Sequence, residues 1–130
     1  MLKKIRHIGI VVDDIERAIA KFKNLGLLLD EVMELKEDGV SIAFFPIGDT
    51  MIEILYYGRS DSSSDAIVCK QKGFINHLCF EVDDIEATVQ AFDEKGIKLK
   101  EGYPKAGAHG RVAFFYPETT EGVLIEICEL

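Results

Sequence analysis

Four side chains of metal-binding type stand in matched places along this chain: His7 and Glu53, then His77 and Glu126. Imidazole nitrogens with carboxylate oxygens make a borderline donor set, suited to Zn²⁺, Co²⁺, Ni²⁺, Mn²⁺ or Fe²⁺. Two carboxylates would also neutralise a divalent charge. Taken singly, a Glu on an amphipathic strand is far more often solvated than bound to metal, and a strand His is usually a satisfied polar residue. The four gain weight because they occur as two copies of one arrangement.

The copies align without a gap over their first halves. His7 to Gly26 lies over His77 to Gly96 at a constant offset of 70, pairing Val12/Val82, Asp13/Asp83, Asp14/Asp84, Ile15/Ile85, Glu16/Glu86, Phe22/Phe92 and the closing glycines. The same offset carries Ala43-Phe44-Phe45 onto Ala113-Phe114-Phe115. A three-residue insertion then brings Ile52-Glu53-Ile54 onto Ile125-Glu126-Ile127. Such self-similarity marks a duplicated structural unit. The chain reads as one domain over 1–130, with a first repeat at about 5–57, a linker at 58–73 and a second repeat at about 74–130.

Each repeat predicts a strand, a helix and three further strands. The opening strands are expected at 6–12 and 76–82. An Asp-Asp pair follows each, supplying an N-cap and negative charge at the positive end of a helix dipole. Ile15, Ala18, Ile19 and Phe22 recur at helical spacing, as do Ile85, Val89 and Phe92. Gly26 and Gly96 stand where a helix end favours a left-handed residue. Further strands are expected at 28–35, 40–46 and 51–57, and at 97–101, 111–116 and 123–129. Within the linker, 65–72 reads as a short helix.

Alternation along a strand then sorts the faces. Ile8, Ile10, Val12, Ile52 and Ile54 share one face, as do Leu78, Phe80, Val82, Ile125 and Ile127. These large apolar sets suit packing beneath the helices. The opposite face carries His7, Gly9, Val11, Met51, Glu53 and Leu55, and in the second copy His77, Cys79, Glu81, Leu124, Glu126 and Cys128. Glu81 has Val11 as its counterpart, so it reads as solvent-facing or as a neighbour of the ligands.

Bulk properties narrow the partners. With 23 acidic against 15 basic side chains the net charge is −8, which repels nucleic acid and anionic membrane. No apolar run nears the ~18 residues of a membrane span, and the N-terminal sequence has no signal-peptide pattern. Three cysteines (Cys69, Cys79 and Cys128) without a C-x-x-C pair fit a reducing, cytoplasmic compartment.

The repeated His and Glu positions resemble the vicinal oxygen chelate superfamily, the group of glyoxalase I, extradiol dioxygenases and bleomycin-resistance proteins. Within it the chain is most similar to the methylmalonyl-CoA epimerases, on His7-Ile8-Gly9-Ile10, Asp38-Gly39-Val40-Ser41, Ile52-Glu53-Ile54-Leu55, Gly107-Ala108-His109-Gly110 and Gly122-Val123-Leu124-Ile125-Glu126. The resemblance implies an α+β fold of two tandem βαβββ units, whose curled mixed sheets surround a metal cleft. It also implies a homodimer and a divalent metal (Zn, Co, Ni or Mn) on His7, Glu53, His77 and Glu126. The implied activity is a metal-dependent isomerase that removes a proton next to a thioester carbonyl.

Glu126 is the expected base. Lys105, His109 and Arg111 are expected to meet the anionic groups of a coenzyme A or glutathione thioester. Some epimerases of this kind carry a glutamate on the third strand as a proton-transfer group; here Ile42 stands there, and it cannot take a proton. The alternatives are a glyoxalase I-type lyase, a dioxygenase on a 2-His-1-carboxylate iron site, and a metal-free binding or resistance module. Glu53, an extra ligand, counts against the dioxygenase. Idle paired His and Glu count against the binding module.

Overall fold

The structure is a computed structural model and describes residues 1–58 and 74–130. The expected helix at 65–72 and Cys69 lie outside the described residues. The elements in chain order are β1 (Leu2–Val11), α1 (Ile15–Asn24), β2 (Glu31–Leu35), β3 (Val40–Ile47), β4 (Thr50–Tyr56), β5 (Ile75–Val82), α2 (Ile85–Glu94), β6 (Lys105–Ala106), β7 (Arg111–Phe114), a 3₁₀ turn (Pro117–Thr120) and β8 (Ile125–Glu129). The class is α+β, with parallel and antiparallel pairings in each half. Among the described residues no helix is long and apolar enough to cross a membrane.

The chain divides into two compact units. One lies within His7–Asn76; the other joins Met1–Arg6 to His77–Leu130. In the first, the strand order is β2-β3-β4-β1. β1 runs parallel to β4, with Gly9 opposite Glu53, and the other pairs are antiparallel. In the second, the order is β5-β8-β7-β6. β5 runs parallel to β8, with Cys79 opposite Glu126, and the other pairs are again antiparallel. The opening residues of β1 belong to this second unit, where Lys3 Nζ lies 3.4 Å from Glu81 and 3.1 Å from Asp83. The first strand thus begins earlier than alternation indicates, because Leu2 to Arg6 offers no clean apolar period.

The helices begin as the sequence dictates. Asp14 and Asp84 have extended backbones, and each side chain accepts a hydrogen bond at 2.9 Å from the third residue onward, Arg17 N–H and Ala87 N–H. That satisfies one of the donors a helix start leaves open. Gly26 (φ 102°) and Gly96 (φ 86°) then turn the chain through the left-handed region. Each helix lays an aromatic ring on its own sheet. Phe22 meets Phe45 at 5.9 Å, and Phe92 meets Phe115 at 5.1 Å.

Ala43, Phe45 and Ile54 form one core with Ile10, Val12 and Ile52 around them. Val82, Ile85, Ala113, Phe115 and Ile127 form the other, with Phe80 and Ile125 around them. The large apolar faces therefore do lie under the helices. Fully burying each Phe contributes about 2–3 kcal/mol of apolar transfer.

Two expected strands are corrected. Residues 28–30 are not strand, and β2 starts at Glu31. Residues 97–101 form only an isolated bridge, Leu99 to Phe115; the strand in their place is the two-residue β6. Gly102 (φ 92°) and Pro104 intervene, and proline has no N–H to give a ladder. The last two strands are shorter than expected, ending at Phe114 and starting at Ile125. Between them the three inserted residues are taken up by the 3₁₀ turn, where Pro117 occupies the first turn and Glu121 and Gly122 have positive φ.

Candidate metal centre

Every candidate ligand sits on the sheet face away from its helix. In the first unit, His7 and Gly9 on β1 lie on the face of Glu53 and Leu55 on β4 and of Ile42 and Phe44 on β3, because directly opposed residues share a face. His7 and Glu53 are buried, and His7 Nδ1 lies 2.9 Å from Glu53 Oε2. In the second unit, His77 and Cys79 on β5 share their face with Glu126 and Cys128 on β8 and with Phe114 on β7. His77 and Glu126 are buried too, with His77 Nε2 3.2 Å from Glu126 Oε1. The structure therefore brings the predicted residues together as two pairs, His7 with Glu53 and His77 with Glu126.

Burial separates these pairs from ordinary strand decoration. A carboxylate loses several kcal/mol of hydration when removed from water, and it persists there only against a compensating partner. The donor chemistry and spacing both suit a cation. Two ligands bound to one ion at about 2.1 Å stand about 3.0 Å apart in octahedral geometry and about 3.4 Å apart in tetrahedral geometry. The observed separations are 2.9 Å, just below the first, and 3.2 Å, between the two. The two pairs are consistent with a divalent metal.

The remaining candidates are dispersed. Lys105 on β6 is opposite Val112, and Val112 is opposite Cys128, so Lys105 shares the face of His77 and Glu126. Its Nζ lies 5.2 Å from the centre of the Tyr103 ring. Arg111 lies on the other face. Its guanidinium grips Glu86 of α2, with Nη1 3.0 Å from Oε2, which holds the Glu86 carboxyl below its ordinary pKa and raises that of Arg111. His109 is exposed in the loop joining β6 to β7. That loop depends on glycine at Gly110, whose φ is 153° and whose Cβ would fall 2.5 Å from the Glu129 carbonyl.

Glu81 is half-buried beside Lys3, which matches its expected place outside the ligand set. Ile42 is buried opposite Leu55 and Met33, so the third strand places an apolar side chain on the face of Glu53. Cys79 and Cys128 are buried free thiols. Burial, more than the neighbouring Cys128 and Glu126, pushes the Cys79 thiol far up from its ordinary value.

Two participants escaped the sequence reading. Phe114 packs its ring edgewise against His77, with centroids 5.3 Å apart and planes at 78°. Tyr103 packs in turn on Phe114 at 5.3 Å. The repeat itself holds the signal for Phe114, since its counterpart Phe44 stands directly opposite Glu53. Nothing in the sequence marks Tyr103.

Comparison with known proteins identifies the family. The sequence profile of the Glyoxalase/Bleomycin resistance protein/Dioxygenase superfamily matches residues 6–115. The mitochondrial methylmalonyl-CoA epimerase of Bos taurus is 39% identical over 129 residues, covering 97% of this chain and 74% of that protein. An ethylmalonyl-CoA/methylmalonyl-CoA epimerase of Cereibacter sphaeroides is 34% identical over 98% of both chains. Among solved structures, a methylmalonyl-CoA epimerase in complex with methylmalonyl-CoA and NH₄⁺ superposes with a TM-score of 0.88 at 26% identity, covering 99% of this chain and 95% of that one. The glutathione-lyase alternative gains no support from these relatives.

Proposed function

The chain belongs to the Glyoxalase/Bleomycin resistance protein/Dioxygenase superfamily, and from that premise we propose that it is an epimerase of acyl-coenzyme A thioesters, with methylmalonyl-CoA as its substrate. The observation that carries this reading is the pair of buried His–Glu contacts at equivalent places in two repeats, in a chain alike over almost its whole length to methylmalonyl-CoA epimerases.

The reaction inverts the carbon between a carboxylate and a thioester carbonyl. A base removes the proton from that carbon, the electron pair moves into the enolate, and a proton returns to the opposite face. Nothing is gained or lost overall. We propose His7, Glu53, His77 and Glu126 as ligands of a divalent ion (Zn, Co, Ni or Mn). When bound, such an ion supplies Lewis-acid stabilisation to the charge that develops on the thioester oxygen.

Glu126 is the proposed base. Its carboxylate is buried between strands and faces His77, so water does not compete for the proton it takes. His77 orients that carboxylate. Ile42 leaves the third strand without a proton carrier, so the return of the proton falls to another group, for which His109 is the candidate. Lys105 and Arg111 are the proposed contacts of the coenzyme's phosphates. Lys105 leads, because it lies on the face that carries His77 and Glu126.

The test is metal content by elemental analysis, followed by incubation with methylmalonyl-CoA in deuterated water. About one metal per chain and deuterium at the α-carbon are expected. A metal-loaded protein that leaves the substrate unlabelled would overturn the assignment.

A further inference from the structure

A line of ring contacts runs outward from His77 through Phe114 and Tyr103, which no part of the proposed reaction uses. The Phe114 ring meets the His77 imidazole at 5.3 Å, nearly perpendicular. Tyr103 meets Phe114 at 5.3 Å and 64°. The Lys105 ammonium stands 5.2 Å from the centre of the Tyr103 ring. All four residues lie in one compact unit, and Phe114 is directly opposite Glu126 in the β7–β8 register.

An imidazole can rotate about its Cβ–Cγ bond, because that terminal torsion is broad. Contact with the Glu126 carboxylate fixes where Nε2 lies and leaves the tilt of the ring less constrained. A perpendicular aromatic neighbour restricts that freedom, since edge-to-face contact is favoured over a face-to-face sandwich. Tyr103 then backs Phe114 at the sheet edge, where it also touches the helix-side core.

The outer end of this line differs between the repeats. Ile42 and Val112 are equivalent residues, and β2 places Met33 opposite Ile42 where β6 places Lys105 opposite Val112. A thioether stands in the first repeat where the second has an ammonium over a ring.

We propose that Phe114 and Tyr103 are positioning residues that set the plane of the His77 imidazole, so that Nε2 and Glu126 Oε1 are offered side by side to a divalent cation. This rests on the metal reading above. The test uses the full chain with Phe114→Leu, Tyr103→Leu and Tyr103→Phe, each titrated with Co²⁺ and followed by its visible absorption. Phe114→Leu should bind Co²⁺ roughly threefold to tenfold more weakly, the range of one aromatic edge contact, with an altered band. Tyr103→Leu should show a smaller loss, which Tyr103→Phe restores.

A second readout needs no metal. In the metal-free protein the ring protons of His77 should be displaced by the Phe114 ring current, and Phe114→Leu should return them toward the unperturbed position. Thermal melting of the metal-free variants separates loss of fold from loss of ring placement. Unchanged Co²⁺ affinity and spectrum in a folded Phe114→Leu protein would overturn the proposal. Should the parent protein take up no Co²⁺, the metal reading fails, and the proposal fails with it unless the His77 resonances still respond to Phe114.

Discussion

The two His–Glu pairs come from equivalent positions in equivalent strands, yet they are built differently. In the first repeat Nδ1 of His7 faces the carboxylate; in the second it is Nε2 of His77, at the far tip of the ring. The register is the same in both, and what differs is the residue opposite the glutamate. Gly9 stands there in the first repeat, where the near nitrogen of His7 lies against Glu53. Cys79 stands there in the second, with its thiol wholly buried on that face. The imidazole then reaches Glu126 with its far nitrogen.

The largest expected effect separates the two carboxylates. Glu126→Gln should slow deuterium entry into methylmalonyl-CoA by roughly 10²- to 10⁴-fold, the scale of a lost general base. Glu53→Gln should cost less, because it keeps an oxygen donor. Equal losses would make the repeats equivalent in catalysis and remove the special role of Glu126.

Next come the cores, where the repeats should behave alike. Phe45 and Phe115 are both wholly buried, and truncating either to alanine should cost about 3–5 kcal/mol in urea unfolding. A difference of more than a third between them would show that one half of the chain carries the stability.

The helix caps offer a finer comparison. Asp14→Ala and Asp84→Ala should each cost about 1 kcal/mol. Lys21 and Lys23 lie in the last turn of α1, while the last turn of α2 has no basic residue. Favourable charge at the carbonyl end is screened by salt. Thermal melts in low and high salt should therefore shift more when both lysines of α1 are neutralised than when Lys95, just beyond α2, is.

The smallest effect is at the surface of the second repeat. Arg111 holds the Glu86 carboxyl below its ordinary value. That stabilisation is present above the unfolded pKa of glutamate and is lost as pH falls through the lowered folded value. Lys3, raised mainly by its hydrogen bond to Asp83, behaves oppositely: its contribution is present below the unfolded lysine pKa and is lost as pH rises through the raised one. Both pairs are exposed, and such pairs contribute little. The melting difference between the parent and Arg111→Ala should be detectable at neutral pH and shrink as pH falls through the lowered Glu86 value. A difference that persists in acid would assign it to packing of the arginine stem.

Much of this molecule was legible in the residues. The 70-residue offset gave the duplication, Asp14 and Asp84 gave the helix starts, and alternation gave the faces, since Ile10, Val12, Ile52 and Ile54 do pack beneath α1. Periodicity read poorly where apolar residues run on without a partner. Residues 28–30 and 97–101 carry strand-like composition, but a strand exists only where another supplies its hydrogen bonds, and β6 formed instead across the hairpin from β7. The linker composition said nothing of Met1–Arg6 joining the second unit.

By itself the sequence determined which residue types recur and on which side of a strand each must fall, because backbone geometry fixes that alternation locally. Tertiary structure decided which ring nitrogen faces each carboxylate, that Lys105 and Arg111 part to opposite faces, and that Phe114 and Tyr103 stand behind His77. Those outcomes depend on strand register and on the volume of facing side chains. Both are settled only when segments distant in the chain pack together.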